Sequence, residues 1–292
     1  MFTVSLIASP AAANLDGDLP GGLASRWQGS APRVLAPGIA AEFDIGPVPA
    51  DADQVWSDLQ RIGIDLAIQP TEGRRKRILI ADMDSTMINQ ECIDELADFA
   101  GVGARVAQIT ARAMNGELNF HEALIERVSL LAGLSEEVIG TVLRDRITMA
   151  AGGATLVATM RAHDAYTALV SGGFTAFTAA VADRLGFHEH RANTLLAEDG
   201  VLTGHVALPV LGREAKVEAL QQIAAHLGTT AQNAIAVGDG ANDLGMIQLA
   251  GAGVALHAKP VVAAQAQIRI NHGDLTALLY LQGYGADDFV TP

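Results

Sequence analysis

The 292-residue sequence predicts an α/β fold: a doubly wound parallel sheet with an inserted helical cap and a small N-terminal α/β module. Three observations carry this. Short unbroken apolar runs such as Ile78-Leu79-Ile80-Ala81 read as strands buried on both faces, as in a parallel sheet. They alternate with helical segments, Phe174–Leu185 and Arg213–Leu227 among them. Between Ile88 and Met160 the pattern is helical without a credible strand, broken at Gly101–Gly103, Asn115-Gly116, Gly133 and Gly152-Gly153, as for an insertion into such a sheet.

Taken in order, Phe2–Ala8, the apolar stretch Arg33–Ile45, a helical period over Ala52–Ile62 and Leu66–Gln69 make a small α/β module over residues 1–74. Arg74-Arg75-Lys76-Arg77, following Gly73, reads as a solvated linker rather than a nucleic-acid patch. A larger unit then spans 75–292, opening with the strand Ile78–Ala81 and carrying the cap at about 88–160. Further strands are expected at Tyr166–Val170, Ala234–Val237 and Gly253–Leu256. Glu198-Asp199-Gly200, between Leu195-Leu196 and Val201-Leu202, signals a hairpin turn. Ligands of doubly wound sheets sit at the carboxyl ends of the strands, so polar residues following three of these strands should converge.

Composition narrows the function. Half the residues are hydrophobic and 18% are charged, as in a folded globular protein. A net charge of −14 with a pI near 4.8 argues against broad binding to nucleic acid or anionic membranes. The single cysteine, Cys92, excludes an internal disulfide framework, reads as a small buried apolar residue and suits a reducing cytoplasm. Met1–Ala13 lacks a basic leader and a sustained apolar run, so no signal peptide is expected. No stretch approaches the roughly 18 uninterrupted apolar residues of a membrane span. A cytoplasmic protein that binds neither nucleic acid nor membrane is the expectation.

Asp82-Met83-Asp84-Ser85-Thr86 places two carboxylates two residues apart where a buried strand ends. A surface turn rich in aspartate would not follow so apolar a strand. Phosphoryl transfer from an ester needs an in-line nucleophile and an acid for the leaving alkoxide, two tasks for two carboxyl groups. Their mutual repulsion implies a hard divalent cation, Mg²⁺, held by few protein groups and several waters. Gly238-Asp239-Gly240-Ala241-Asn242-Asp243 follows another strand and supplies further oxygen ligands; alone it would pass for an ordinary strand-to-helix turn. Ser171-Gly172-Gly173 offers a hydroxyl and unhindered N–H groups for phosphate oxygens where a helix opens, or merely an N-cap. Lys216, early in its helix, would by itself be a solvated lysine; in this company it can neutralise a phosphate and hold Asp82 ionised.

In this order these segments resemble the four motifs of the haloacid dehalogenase superfamily, over roughly Arg77 to Pro292. Within it the chain closely resembles the phosphoserine phosphatases, through Glu91 in Asn89-Gln90-Glu91-Cys92-Ile93-Asp94-Glu95 and through the cap stretches Met114-Asn115-Gly116-Glu117-Leu118-Asn119-Phe120 and Glu126-Arg127-Val128-Ser129-Leu130-Leu131. The resemblance implies Mg²⁺-dependent hydrolysis of O-phospho-L-serine to L-serine and phosphate through a phosphoaspartate, the last step of L-serine biosynthesis. Asp82 would be the nucleophile and Asp84 the acid and later the base. Asp82, the Asp84 carbonyl and Asp239 would hold the metal, with Asp243 supporting from nearby. Ser171, Gly172, Lys216 and Asn242 would bind the phosphoryl group. Glu91 would meet the substrate ammonium and Arg127 its carboxylate, while Met114 and Phe120 would close the pocket.

Some bacterial members of that family carry an amino-acid-binding regulatory domain of the ACT type at the N-terminus; a packing or homodimerisation module explains the first 74 residues equally well. Two rival functions are a phosphotransferase that passes the group to another hydroxyl such as homoserine, and an amino-acid sensor with a vestigial phosphatase centre. The intact Asp82, Asp84, Lys216 and Asp239 speak against the second.

Overall fold

The structure is a computed structural model that describes residues 1–114 and 117–292. Its first unit runs β1 (Phe2–Ala8), α1 (Asp18–Arg26), β2 (Arg33–Ala36), β3 (Ala40–Ile45), α2 (Ala52–Arg61) and β4 (Ile64–Pro70). The four strands form one antiparallel sheet in the order β2-β3-β1-β4, the split β-α-β-β-α-β arrangement. The stretch Arg33–Ile45, read from its pattern as one run, is a hairpin: Gly38 takes a φ of +73° and the Ile39 N–H donates to the Ala36 carbonyl, turning β2 back as β3. Alternation in β1 sends Val4, Leu6 and Ala8 against Leu23, Val55 and Leu59 of the two helices and against Trp27 just past α1, while Ile7 faces the larger unit.

Arg74–Arg77 is not a free, solvated linker. Arg74 pairs with Glu42 at 2.8 Å, the Arg75 guanidinium lies 4.1 Å above the Tyr284 ring, and Lys76 Nζ donates to the Gln232 carbonyl. Buried Asp65 of β4 accepts the N–H groups of Asn271, His272 and Gly273. The small unit is thereby tied to the large one.

The large unit opens with β5 (Ile78–Ala81). Four helices follow, α3 (Cys92–Phe99), α4 (Gly103–Met114), α5 (Phe120–Ser129) and α6 (Glu137–Asp145), then α7 (Gly153–Ala162), β6 (Tyr166–Phe174), α8 (Thr175–Leu185), β7 (Glu189–Asn193) and a hairpin of β8 (Leu195–Glu198) and β9 (Val201–Val206). The chain continues through α9 (Arg213–His226), β10 (Ala234–Gly238), α10 (Leu244–Leu249), β11 (Ala252–Leu256), α11 (Pro260–Ala263), β12 (Ile268–Ile270) and α12 (Ala277–Leu281). Six strands pair in parallel in the order β12-β11-β10-β5-β6-β7. Every residue of β5 is fully buried. Leu79 and Ala81 join Leu156 and Met160 of α7 in one layer, and Ile78 and Ile80 join Ala219, Leu220 and Ile223 of α9 in the other.

The cap, expected to reach about residue 160, is made by α3–α6; α7 packs on β6 and α8 and belongs to the sheet's own helix layer. An antiparallel bridge between Ile88 and Met149 closes the cap's neck. The hairpin turns at Asp199 and Gly200, with φ of 50° and 77°, values only a primed turn accommodates. It is zipped to the cap: the Leu202 carbonyl accepts the Gly133 N–H, the Leu202 N–H donates to Leu134, and the Gly200 carbonyl accepts from Glu136.

Candidate active site

The chain leaves β5 still paired, the Asp82 N–H donating to the Val237 carbonyl of β10 at 3.0 Å. It then turns sharply: Ser85 takes a φ of 55°, and the N–H groups of Thr86, Met87 and Ile88 all converge on the Met83 carbonyl. Met83 is thereby buried, while Asp82 and Asp84 line one pocket together. Asp84 has both oxygens held: Oδ1 accepts the Cys92 N–H (2.8 Å) and Oδ2 the Ser171 hydroxyl (3.1 Å). Ser171 was expected just beyond a strand that ends at Val170, at a helix start. Instead β6 runs on to Phe174 and α8 has no side-chain N-cap, so the Ser171 hydroxyl serves Asp84 and accepts the Gly173 N–H. A Cβ at Gly173 would stand 2.5 Å from Asp84 Oδ2, so the close approach needs glycine.

Lys216, 1% exposed, reaches from α9 beneath this floor and places Nζ 2.5 Å from Asp82 Oδ1 and 2.5 Å from Asp243 Oδ1. The other Asp243 oxygen accepts the Gly240 N–H. Gly238 lets Asp243 fold back over β10, since a Cβ there would fall inside the Asp243 side chain. Asp82, Asp239 and Asp243 each offer an oxygen within 4.8 Å of the others, all buried.

The charges of this cluster do not balance. Burial, then the Asp243 charge, pushes the Asp82 carboxyl well above the ordinary range, against the pull of Lys216. Burial and Asp243 likewise lift Asp239 to about 6. Burial alone would lower Lys216, but Asp243 and Asp82 outweigh it and hold the ammonium charged. One cation facing three buried carboxylates leaves a deficit that a divalent metal with oxygen preference fits, in donor type and in spacing.

The roof comes from the cap. Glu91, at the start of α3, accepts the Ser85 hydroxyl at 2.8 Å, and burial together with the Asp84 charge pushes it up to about 7. Arg127 of α5 faces the same pocket, its Nε donating to the Ala123 carbonyl. Phe120, at the start of α5, overlies Gly172, where a Cβ would meet the ring at 2.8 Å. Asn242 lines the pocket beside Gly240. Met114 ends α4; its side chain, with Asn115 and Gly116, lies outside the described residues. The enclosed volume, about 130 Å³, is well under the roughly 300–1,000 Å³ of sites for drug-sized ligands and suits a small polar molecule.

Two participants escaped the sequence reading. Cys92, read as inert packing, is buried with its thiol pushed up by burial, yet its main-chain N–H orients Asp84. Lys259 also lines the pocket; it follows β11, and the strand-end rule applied to that fourth strand would have found it.

A model of haloacid dehalogenase-like hydrolases matches residues 79–248. A phosphoserine phosphatase of Streptomyces coelicolor is 39% identical over 251 residues, covering 85% of this chain and 61% of that protein, so the chain spans under two thirds of that relative. Among solved structures, a haloacid dehalogenase family hydrolase from Salmonella enterica serovar Typhi superposes with a TM-score of 0.86 at 30% identity, over 96% of this chain and 97% of that one. A phospho-aspartyl intermediate analogue of a phosphoserine phosphatase superposes with a TM-score of 0.66 at 40% identity, over 70% of this chain and 98% of that one.

Proposed function

This chain belongs to the haloacid dehalogenase-like hydrolases and, among them, to the phosphoserine phosphatases, and from that premise we propose that it hydrolyses O-phospho-L-serine to L-serine and phosphate through a phosphoaspartate at Asp82. The observation that carries the reading is the pair of carboxyls at the tip of β5, one held by Lys216 and the other by Ser171 and the Cys92 N–H, open to one pocket. An Asp82 oxygen attacks phosphorus as the bond from phosphorus to the serine oxygen breaks, and Asp84 gives that oxygen its proton. Water then attacks the phosphoaspartate, Asp84 takes its proton, and the Asp82–phosphorus bond breaks, so that one water is consumed per serine and phosphate formed.

Lys216, the Ser171 hydroxyl, the Gly172 main chain and Asn242 hold the phosphoryl oxygens where charge spreads in the transition state. Asp82, the Asp84 carbonyl and Asp239 would hold Mg²⁺, with Asp243 fixing both Lys216 and the loop. Bound there, the ion supplies the positive charge the carboxylates lack. Glu91 takes the substrate ammonium, Arg127 its carboxylate, and Phe120 and Met114 exclude water. From this substrate we infer a cytoplasmic role in L-serine synthesis. The N-terminal unit is read as an ACT-like module for regulation or homodimerisation on its strand order; titrating L-serine into the whole chain, with sedimentation alongside, tests both.

Phosphate release from L-phosphoserine, phosphothreonine and an aryl phosphate, in Mg²⁺ and in chelator, tests the main reading. Preference for phosphoserine, loss in chelator and a fall of at least about 10³-fold in Asp82→Asn are expected. Phosphoserine turnover that survives Asp82→Asn would overturn the nucleophile; equal use of all three substrates would withdraw the substrate. Including homoserine and looking for a new phosphoester separates hydrolysis from transfer.

A further inference from the structure

A substrate of this class is a dianionic phosphate that carries a carboxylate as well, yet the chain has 33 acidic and 19 basic residues and a net charge of −14. At long range such a protein repels its own substrate. The floor of the site does not relieve this, because Lys216 is already shared by two carboxylates.

Outside the small pocket lies a second, wider cavity of about 480 Å³ that shares Phe120, Arg127, Gly240, Asn242 and Lys259 with it. Its charged lining is of one sign. Arg127 of α5, Arg213 at the first position of α9 and Lys259 before α11 contribute cations, and among the described residues no Asp or Glu lines it; the rest of the wall includes Leu118, Ala123 and Val261. Among the described residues none of the three cations has an ion-pair partner within 4.0 Å, whereas Arg26, Arg33, Arg61, Arg74, Arg112, Arg146, Arg191 and Lys216 all do. Other cations, Arg105, Arg144 and Arg184 among them, also lack such a partner; what sets these three apart is that one cavity collects them with no carboxylate among its described lining residues. They come from three separate elements, the cap, α9 and the loop after β11, so the cavity collects them at the boundary of cap and sheet.

We propose that this cavity is an electropositive vestibule that captures dianionic phosphate monoesters and delivers them to the inner pocket, with Arg213, which lines the outer cavity alone, as a capture residue that takes no part in the chemistry and Lys259, which lines both, at the passage between them. The proposal deepens the phosphatase reading and rests on it. Charges lining an apolar-walled cleft focus the field and raise the local concentration of an oppositely charged ligand. The apolar stretches keep that field from being dissipated in water, and Arg127, common to both cavities, makes the path continuous.

The test follows kcat/KM against ionic strength for wild type, Arg213→Gln, Lys259→Gln and the double variant, with both phosphoserine and an aryl phosphate. At low salt each neutralisation should lower kcat/KM about threefold and the double variant about tenfold, with kcat of Arg213→Gln unchanged. The differences should vanish near 1 M salt, where the screening length is about 3 Å. A double variant whose salt dependence matches wild type overturns the vestibule, and so does a loss that persists in high salt or falls on the kcat of Arg213→Gln. The aryl phosphate separates the two readings: if phosphoserine is not turned over but aryl phosphate is, the substrate assignment fails while the vestibule is still read. Calorimetry of inorganic phosphate in Mg²⁺ supplies a readout without turnover, with weaker binding of the double variant at low salt only as the expected result and identical isotherms overturning it.

Discussion

The floor and the roof of the pocket are built on different principles. On the floor Asp84 and Asp243 each have both oxygens bonded, and Lys216 bridges Asp82 and Asp243. On the roof Glu91 has one hydroxyl partner and Arg127 a carbonyl of its own helix. The carboxylates of the floor follow buried parallel strands, which cannot shift without breaking ladder hydrogen bonds, and Lys216 reaches them from α9. Roof residues ride on helices attached through the Ile88–Met149 neck and the zipped hairpin. On the proposed roles, the contrast puts chemistry where the backbone is stiffest and recognition on helices joined to the sheet by a narrow neck.

Removing Lys216 should break the floor most severely. Lys216→Ala leaves Asp82 and Asp243 as buried, uncompensated carboxylates, so stability should fall by about 3–5 kcal/mol in denaturant titration. Turnover of the remaining folded protein should drop about 10²–10³-fold. Near-normal kcat in folded Lys216→Ala would mean that the floor's order is ornamental to catalysis. Gly173→Ala should do less: the added methyl meets Asp84 Oδ2 at 2.5 Å and Ser171 Oγ at 3.1 Å, displacing the acid without removing it. A fall of about 10²-fold in kcat, with KM little changed, is the expectation for a catalytic group moved by about 1 Å.

Changes to the roof should sort differently. Arg127→Ala should cost phosphoserine about 10²-fold in kcat/KM while an aryl phosphate, which has no carboxylate, changes by no more than about threefold. Equal losses on both substrates would make Arg127 part of the floor's business. Glu91 sharpens the same point through pH. Its carboxyl, ordinarily near 4.5, is lifted to about 7 in the fold, so the native state holds its proton more tightly across that window. Its contribution to stability therefore declines as pH rises from about 4.5 to 7, while its capacity to hold an ammonium grows. The ratio of kcat/KM for phosphoserine over aryl phosphate should climb with pH up to about 7 and lose that slope in Glu91→Gln. Taking the ratio cancels the ionisation of the phosphate itself.

Much of the floor was legible because strand ends are legible. A four-residue apolar run that stops at Asp82 announces both a buried strand and the place where its polar successor must face a ligand, and the same logic led to Gly238–Asp243. The roof was legible only by resemblance: nothing in the helical period of Phe120–Ser129 distinguishes Arg127 from a solvated arginine. Three misreadings share one cause, that pattern does not report tertiary partners. The Arg74–Arg77 cluster looks solvated until Glu42 and Tyr284 are placed beside it. Gly153–Ala162 looks like more of the cap until β6 is placed beneath it, and β6 itself runs past the glycines that appear to end it. Lys259 needed only a rule already in use, applied to one more strand.

The smallest effect on catalysis should come from a residue that touches neither floor nor roof. Fully buried Asp65 accepts three main-chain N–H groups of residues 271–273 at 2.8–2.9 Å and so fastens the N-terminal sheet to the loop after β12. Asp65→Ala leaves those donors without a partner, which should lower stability by about 3 kcal/mol, since orphaned buried donors cost more than the bonds are worth. Below its transition the variant should keep kcat and kcat/KM within about twofold of wild type. The route by which it could do otherwise is short: β12 pairs with β11, and Lys259 follows β11 at the rim of the pocket. A selective loss in kcat/KM at temperatures where Asp65→Ala is fully folded would therefore show that the N-terminal unit steers the vestibule through that sheet edge, and the division of labour would extend beyond floor and roof to a third region.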